Sequence, residues 1–243
     1  MKKGDIKRVQ ILDTAEKLFF EQGYDRTSVQ DILNALQMSK GGFYHYFDAK
    51  DSVLRAVSER RAQSRFDQLN AAIHGSRRSS VEKLNMLLGM ANLFEAEETP
   101  FAALMLKLCY VDKDASMNAH RRRVLVDRLL PALNDVIAEG VADGSFHTRH
   151  PMEIGRLLLL LACDVNDEAC GMLADHPDNP DVMLPMLELL NTWRESAEKL
   201  AGAPFGTVVL FEVGRLVEAW QAAIAILNPK GLDSRNKEEK SNE

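Results

Sequence analysis

Apolar residues recur at helical spacing along most of the chain, and turn-forming residues separate the runs. One short predicted helix has an apolar stripe formed by Val29, Ile32, Leu33 and Leu36. We expect it to begin at Thr27, because the Thr27 hydroxyl caps free backbone N–H groups and Gln30 bonds back three residues later. After a break at residues 37–38, Ser39 is the expected N-cap of a second short helix.

The second short helix presents a polar face that core packing does not require. With Phe43 and Phe47 directed inward, the outward residues are Lys40, Gly41, Tyr44 and His45. Each of two adjacent glycines costs about 1 kcal/mol relative to Ala inside a helix, which indicates close approach of another backbone. Lys40 and Lys50 both fall in the first turn of a predicted helix, where a cation opposes the helix dipole. External phosphates would make both positions favourable, whereas either lysine alone is more simply explained as part of a solvated face.

This segment resembles the DNA-binding domain of the TetR family of bacterial transcription regulators. The resemblance rests on Thr27, residues 31–32 and 35–36, the run from Ser39 through Phe47, residues 50–51, and the preceding Ile11, Ala15, Leu18, Phe19, Gly23 and Tyr24. That family usually has a glycine or a similarly permissive residue in the turn where this chain has Gln37. We therefore expect Gln37 to strain the turn slightly or to alter its angle, without changing the fold.

The resemblance implies an all-α protein. An N-terminal three-helix domain with a helix-turn-helix would be followed by a larger helical domain for ligand binding and dimerisation. The expected boundaries are residues 1–50 for DNA binding, 51–228 for effector binding and dimerisation, and 229–243 for a disordered tail. The expected protein is a non-enzymatic repressor without a cofactor, which binds a palindromic double-stranded operator as a homodimer and is released by a small molecule.

The expected DNA-binding residues are Thr27, Ser28, Ser39, Lys40, Gly41, Gly42, Tyr44, His45 and Lys50. Lys40 is expected to contact a base edge, most naturally guanine, with His45 as a second reader and Gly42 leaving room. The expected phosphate contacts come from Thr27, Ser28, Tyr44 and Lys50.

Charge is distributed unevenly along the chain. The 243 residues include 30 Lys and Arg against 36 Asp and Glu. Up to residue 65 there are 12 basic and 9 acidic side chains, which leaves 18 and 27 for the remainder. This asymmetry assigns DNA to the N-terminal domain. Because the sequence shows neither a secretory signal nor an apolar run of about 20 residues, we expect a cytoplasmic protein without a membrane segment.

Turn signals predict consecutive helices over approximately residues 49–74, 79–95, 100–110, 117–139, 152–173, 180–200 and 207–227. Residues 79–82 form a capping box, and Gly140 with residues 143–144 is expected to end the helix that contains Pro131.

Two of these helices, 152–173 and 207–227, are apolar around most of their circumference and so need two burial surfaces. We expect one surface to face the same surface of a second subunit, and a completely internal helix is the alternative. The expected dimer residues are Leu157, Leu158, Leu161, Leu210, Phe211, Val217 and Trp220.

An adaptable apolar set is expected to line an effector pocket, with plain core packing as the alternative. Its members are Met86, Met90, Phe94, Phe101, Met105, Cys109, Tyr110 and Met117.

Two other functions remain open. The protein could be an architectural or division-control factor that needs no inducer. It could also be a metal or thiol sensor built on Cys163 and Cys170 near His176, although the absence of CxxC and HxxxH spacing favours buried structural cysteines. No catalytic motif such as GxSxG, HExxH or a P-loop is present.

Overall fold

The computed structural model describes residues 3–74, 77–90, 99–177, 179–209 and residue 221. These residues form α-helices with one π-helical and one 3₁₀ segment, and no strand occurs among them. The predicted all-α fold class is therefore confirmed. The chain divides into two compact units, Met1–Arg65 and Phe66–Glu243. Within the described ranges, no helix is long and apolar enough to cross a membrane.

The N-terminal unit contains α1 (Lys3–Glu21), α2 (Val29–Leu36), α3 (Lys40–Tyr44) and the first part of α4 (Lys50–His74). Its buried apolar side chains include Ile11, Leu12, Phe19, Ile32, Leu33, Phe43, Phe47, Val53 and Leu54. Phe43 and Phe47 are 0% and 5% exposed, as their spacing predicted. These two rings fasten the short α3 to the rest of the unit.

The start of α2 differs from the prediction by one residue. Ser28, not Thr27, is the N-cap, and Asp31 completes the capping box in place of Gln30. The Asp31 N–H donates to Ser28 Oγ at 3.2 Å, and the Ser28 N–H donates to Asp31 Oδ2 at 2.8 Å. Thr27 is 1% exposed. A carboxylate at this position also interacts favourably with the helix dipole, which an amide does not.

The turn between α2 and α3 is built around Gln37 in the left-handed conformation, with φ 48° and ψ 45°. The Met38 N–H donates to Leu33 O at 3.0 Å, which closes the end of α2. A non-glycine residue therefore occupies a position that favours glycine, because its Cβ crowds the backbone at positive φ. The sequence signal at Gln37 thus marks a real conformational constraint.

The second unit contains the remainder of α4, then α5 (Ser80–Met90), α6 (Thr99–Leu106) with a π-helical continuation (Lys107–Val111), α7 (Ala115–Asp143), α8 (Pro151–Asp175), a 3₁₀ turn (Pro180–Val182) and α9 (Met183–Ala201). Its core includes Leu84, Leu87, Leu88, Leu129, Leu133, Ile137, Phe146, Leu158, Leu159 and Trp193. The predicted capping box at α5 is confirmed, since the Ser79 N–H donates to Glu82 Oε2 at 2.8 Å.

Helix α7 continues beyond its predicted end. Gly140 lies inside the helix, and the left-handed residue that ends it is Gly144, with φ 83°. A Cβ built on Gly140 would lie 2.1 Å from Cδ2 of Phe146. Gly140 is therefore a packing glycine that admits the Phe146 ring, which is 1% exposed, and it does not terminate the helix.

The predicted helix over 207–227 is wrong at its start. Residues 207–209 are not helical, because the Asn85 side-chain amide donates to Thr207 O at 3.0 Å and accepts from the Val209 N–H at 3.1 Å. Residue 221 is helical. The rest of this segment and the predicted tail at 229–243 lie outside the described residues.

Candidate functional site

Helix α3 presents a polar surface on a short, well-anchored element. The Gly42 N–H donates to Ser39 Oγ at 3.2 Å, so the predicted N-cap is confirmed. Lys40, Gly41, Tyr44 and His45 are exposed, as predicted, and Tyr44 is 51% exposed. The Tyr44 ring meets the buried Phe43 ring edge-on with centroids 5.5 Å apart, which restrains Tyr44 without burying its hydroxyl end.

The two glycines of α3 serve different purposes. A Cβ on Gly41 would meet no heavy atom within 4 Å, so this glycine leaves an open surface. A Cβ on Gly42 would lie 3.2 Å from Cγ of Met38. We expected Gly42 to leave room for DNA, but the Met38 side chain of the same domain lies against it. Room for close approach from outside is therefore found at Gly41.

Thr27 and Ser28 are placed differently from each other. The Thr27 hydroxyl donates to Gly23 O at 2.8 Å within the domain, and Thr27 is buried, so the structure does not present it to an external phosphate. Ser28 is exposed, and its hydroxyl bonds to Asp31 Oδ2 at 2.6 Å. This hydrogen bond from Ser28, together with its backbone N–H, lowers the pKa of the Asp31 carboxyl.

Lys50 is half-buried at the start of α4 and interacts with Tyr24. Its ammonium donates to the Tyr24 carbonyl oxygen at 2.7 Å and lies 4.0 Å from the centroid of the Tyr24 ring. The Tyr24 hydroxyl donates to Asp51 Oδ1. Tyr24 carried the family resemblance in the sequence but no predicted binding role, because its contact with Lys50 joins residues 26 apart in the chain.

The expected effector-lining residues differ in burial. Met86, Met90 and Phe101 are half-buried, whereas Met105, Cys109, Tyr110 and Met117 are buried. Phe94 lies outside the described residues. Cys109 and Tyr110 belong to the π-helical segment Lys107–Val111, an irregularity that is frequent at functional sites.

A partly buried charged network connects to this π-helical segment through Tyr110 and was not predicted from the sequence. The Tyr110 hydroxyl donates to Asp167 Oδ1 at 2.5 Å, and Arg121 donates to the Tyr110 oxygen at 2.9 Å and also to Asp167. Arg122 donates to the other oxygen, Asp167 Oδ2, at 2.7 Å. Burial, followed by neighbouring negative charge, raises the pKa of Tyr110, so its hydroxyl remains a donor. The network ties α7, α8 and the π-helical segment together.

The three cysteines are buried around this network. Burial raises the pKa of Cys109 to about 11 and that of Cys170 to about 12, and it also raises the pKa of Cys163. The reactive thiolate form is therefore strongly disfavoured at neutral pH. Within the described ranges, no group of three or more His, Cys, Asp or Glu is placed to hold a metal ion. The geometry favours structural cysteines over a thiol sensor.

The expected dimer residues separate into three groups. Leu157 and Leu161 are 46% and 39% exposed on α8, so these apolar side chains are accessible to a partner. Leu158 is 0% exposed and belongs to the core of its own unit, which makes its assignment to an interface wrong. The remaining expected residues, Leu210, Phe211, Val217 and Trp220, lie outside the described residues.

Comparison with known proteins finds one matching family model and several similar transcription regulators. Residues 11–57 match the family model described as bacterial regulatory proteins, tetR family. The chain is 26% identical over 154 residues to the HTH-type transcriptional repressor KstR2 of Rhodococcus jostii, which covers 61% of this chain and 72% of that protein. It is 40% identical over 52 residues to the HTH-type transcriptional repressor Rv1474c of Mycobacterium tuberculosis, which covers 21% of this chain and 28% of the repressor.

Solved structures share the fold at low sequence identity. A transcriptional regulator FadR from Bacillus subtilis, in complex with stearoyl-CoA, has a TM-score of 0.52 at 18% identity. The alignment covers 76% of this chain and 96% of the FadR chain. A regulator from Saccharomonospora viridis in complex with choline has a TM-score of 0.52 at 21% identity. The alignment covers 79% of this chain and 96% of that regulator. These likenesses extend over both units of the chain.

Proposed function

Since the chain belongs to the TetR family of bacterial transcription regulators, which are non-enzymatic DNA-binding proteins, we propose that it acts as a homodimeric repressor. In this proposal the dimer binds a roughly palindromic operator in the cytoplasm and releases it when a small molecule enters the second unit. The observation that carries the proposal is α3 with the turn that follows it, where the buried Phe43 and Phe47 leave Lys40, Tyr44 and His45 exposed.

Helix α3 is the proposed recognition helix. Lys40 in its first turn donates to a base edge in the major groove, with guanine O6 and N7 as the natural acceptors, and His45 is a second reader. The open space at Gly41 permits close approach of the DNA, and Ser39 caps the helix beside it. Thr27 is left out of the proposed surface because it is buried.

Phosphate contacts fix the register of this helix in the groove. Tyr44, Ser28 and Lys50 are the proposed contacts, because each carries a donor at or near the exposed face of the N-terminal unit. The excess of basic over acidic side chains up to residue 65, 12 against 9, supports DNA at this unit and not at the acidic remainder.

Dimerisation is supported by the exposed apolar positions of α8. Leu157 and Leu161 are one helical turn apart and therefore lie on the same face. Burial of this face against its own copy, around a two-fold axis, would remove apolar surface from water. Two α3 helices would then meet successive major-groove faces of one operator.

An effector site in the second unit is supported by Met86, Met90 and Phe101, which are only half-buried although they are apolar. The structural neighbours in complex with stearoyl-CoA and with choline hold chemically different molecules, so their likeness favours an effector without specifying its class. The effector acts by favouring one position of α4, which continues from the first unit into the second, over another.

Selection from a random DNA duplex pool tests the proposal. We expect enrichment of a motif with two inverted half-sites. We then expect Lys40→Ala to reduce the preference for that motif over random duplex by about tenfold or more, since a good base contact contributes about 1–3 kcal/mol of discrimination. Lys199→Ala, which removes an exposed lysine of the second unit, is the matched control and should leave the preference unchanged. No enriched motif, or equal losses on selected and random duplex, would contradict the assignment.

A further inference from the structure

The position of Lys50 requires an explanation within the protein itself. It is the first residue of α4, where a cation opposes the helix dipole, and it is half-buried. Two features of Tyr24 offset this cost, namely the carbonyl oxygen 2.7 Å from the ammonium and the ring centroid 4.0 Å from it. A carbonyl and an aromatic face are both attractive to a cation, so together they hold the ammonium in one place.

Tyr24 is itself fixed by neighbours on two sides. Its ring meets Phe19 edge-on with centroids 5.1 Å apart, and Phe19 is 3% exposed. Its hydroxyl donates to Asp51, the residue that follows Lys50 in the first turn of α4. Its carbonyl oxygen also accepts from the Thr27 N–H at 3.2 Å. Tyr24 therefore connects the buried core of the N-terminal unit to the start of α4.

We propose that Tyr24 is a positioning residue for DNA binding, which holds the Lys50 ammonium in place for a phosphate of the duplex. The inference rests on the proposed function, in which Lys50 contacts a phosphate. An ammonium has three N–H donors, and the Tyr24 carbonyl takes one of them. A lysine that is already ordered loses less side-chain entropy when it binds a phosphate than a freely rotating lysine does.

Binding to a random-sequence duplex tests this inference, because a phosphate contact does not depend on sequence. Four proteins are compared by fluorescence anisotropy over a range of salt concentrations: the wild type, Tyr24→Leu, Lys50→Ala and the double variant. We expect Lys50→Ala to weaken binding and to reduce the salt slope by roughly one ion per half-site. Tyr24→Leu should weaken binding roughly two- to fivefold for each bound subunit. The double variant should bind as Lys50→Ala does.

A second cation–π pair in the same unit provides the matched control. The Arg61 guanidinium lies 4.9 Å from the centroid of the Phe20 ring, outside the proposed DNA surface. Phe20→Leu removes an aromatic face of the same kind and should leave duplex affinity unchanged. If Phe20→Leu weakens binding as much as Tyr24→Leu does, the effect reflects general stability and the positioning role is overturned.

A graded change at position 24 keeps the inference testable even if Tyr24→Leu does not fold. Tyr24→Phe retains the ring and should bind like the wild type. Phenylalanines with increasing numbers of ring fluorines keep the shape but weaken the negative face of the ring. We expect affinity to fall along this series when Lys50 is present and to stay constant in the Lys50→Ala background.

The outcomes separate the inference from the function on which it rests. If Lys50→Ala changes neither affinity nor salt slope, the phosphate contact of the proposed function fails. If Lys50→Ala weakens binding but the Tyr24→Leu and Lys50→Ala losses multiply in the double variant, the phosphate contact stands and the positioning role is overturned. If duplex affinity does not change along the fluorination series in the protein that retains Lys50, the positioning role is also overturned.

Discussion

Replacement of Gly140 by alanine tests the packing that extends α7 beyond its predicted end. The new Cβ would lie 2.1 Å from Cδ2 and 2.4 Å from Cε2 of Phe146, whereas ordinary van der Waals contact begins at 3.4 Å. The ring would have to retreat by more than 1 Å, and Phe146 is 1% exposed in the core of the second unit. Such overpacking costs about 1–3 kcal/mol, and a contact this short with a ring belongs at the upper end.

The helix propensity of alanine opposes this cost. Alanine is favoured over glycine inside a helix by about 1 kcal/mol, so we expect Gly140→Ala to lower the free energy of unfolding by about 2 kcal/mol overall. Urea unfolding followed by far-UV circular dichroism measures this difference at fixed protein concentration. Gly171→Ala is the matched control, because Gly171 also lies inside a helix and its Cβ would meet nothing within 4 Å. It should raise stability by up to about 1 kcal/mol.

A double-mutant cycle identifies Phe146 as the cause. In a Phe146→Ala background the ring is gone, so Gly140→Ala should become neutral or stabilising. If Gly140→Ala stabilises the wild type as much as Gly171→Ala does, the Phe146 ring does not occupy the space above Gly140 and the reasoning is refuted.

Three further expectations concern an ion pair of the second unit and the turn and N-cap of α2. Asp167→Asn removes the carboxylate that pairs with the Arg121 guanidinium, whose side chain is 11% exposed, and should cost about 3 kcal/mol in urea unfolding. Asp164→Asn, at a carboxylate that is 64% exposed, should cost about 1 kcal/mol or less, and equal losses would contradict the role of burial. Gln37→Gly should raise the thermal midpoint by relieving positive φ, and Gln37→Val should lower it. The Ser28 hydrogen bonds lower the pKa of Asp31, so the stability they add is present at neutral pH and is lost as the pH falls through the folded-state pKa of Asp31. Asp31→Asn should therefore be less stable than the wild type at neutral pH, and the difference should vanish below that pKa.

Sequence reasoning succeeded where an interaction spans few residues. Ser39 caps α3 through a hydrogen bond to Gly42, three residues on, and residues 79–82 form the capping box at α5. The burial of Phe43 in α3 and of Phe47 just after it follows from their spacing, because a separation of one helical turn brings them to the same side. At α2 the predicted cap, Thr27, is wrong by one residue. Ser28 caps the helix through its hydrogen bond with Asp31, and Thr27 is buried.

The candidate site was predictable to the same extent. The exposure of Lys40, Tyr44 and His45 was read from a helical period and is confirmed. The contact of Lys50 with Tyr24 was not predicted, because it joins residues 26 apart and depends on where the turn after α1 lies relative to the start of α4. The Arg121 bond to Asp167 spans 46 residues, and no local pattern distinguishes these charges from solvated ones.

The sequence by itself determined the helical periodicity along most of the chain, the break between α2 and α3 and the exposed face of α3, since these depend on periodicity, caps and turns within a few residues. The helix-turn-helix assignment came from the family resemblance. Only the tertiary structure decided which glycine accommodates a neighbour, as at Gly140, and which leucine of α8 faces the core, as Leu158 does. It also decided that Tyr24 holds Lys50. The physical reason is that burial and ion pairing depend on the distance between segments remote in the chain, which side-chain periodicity within one helix does not specify.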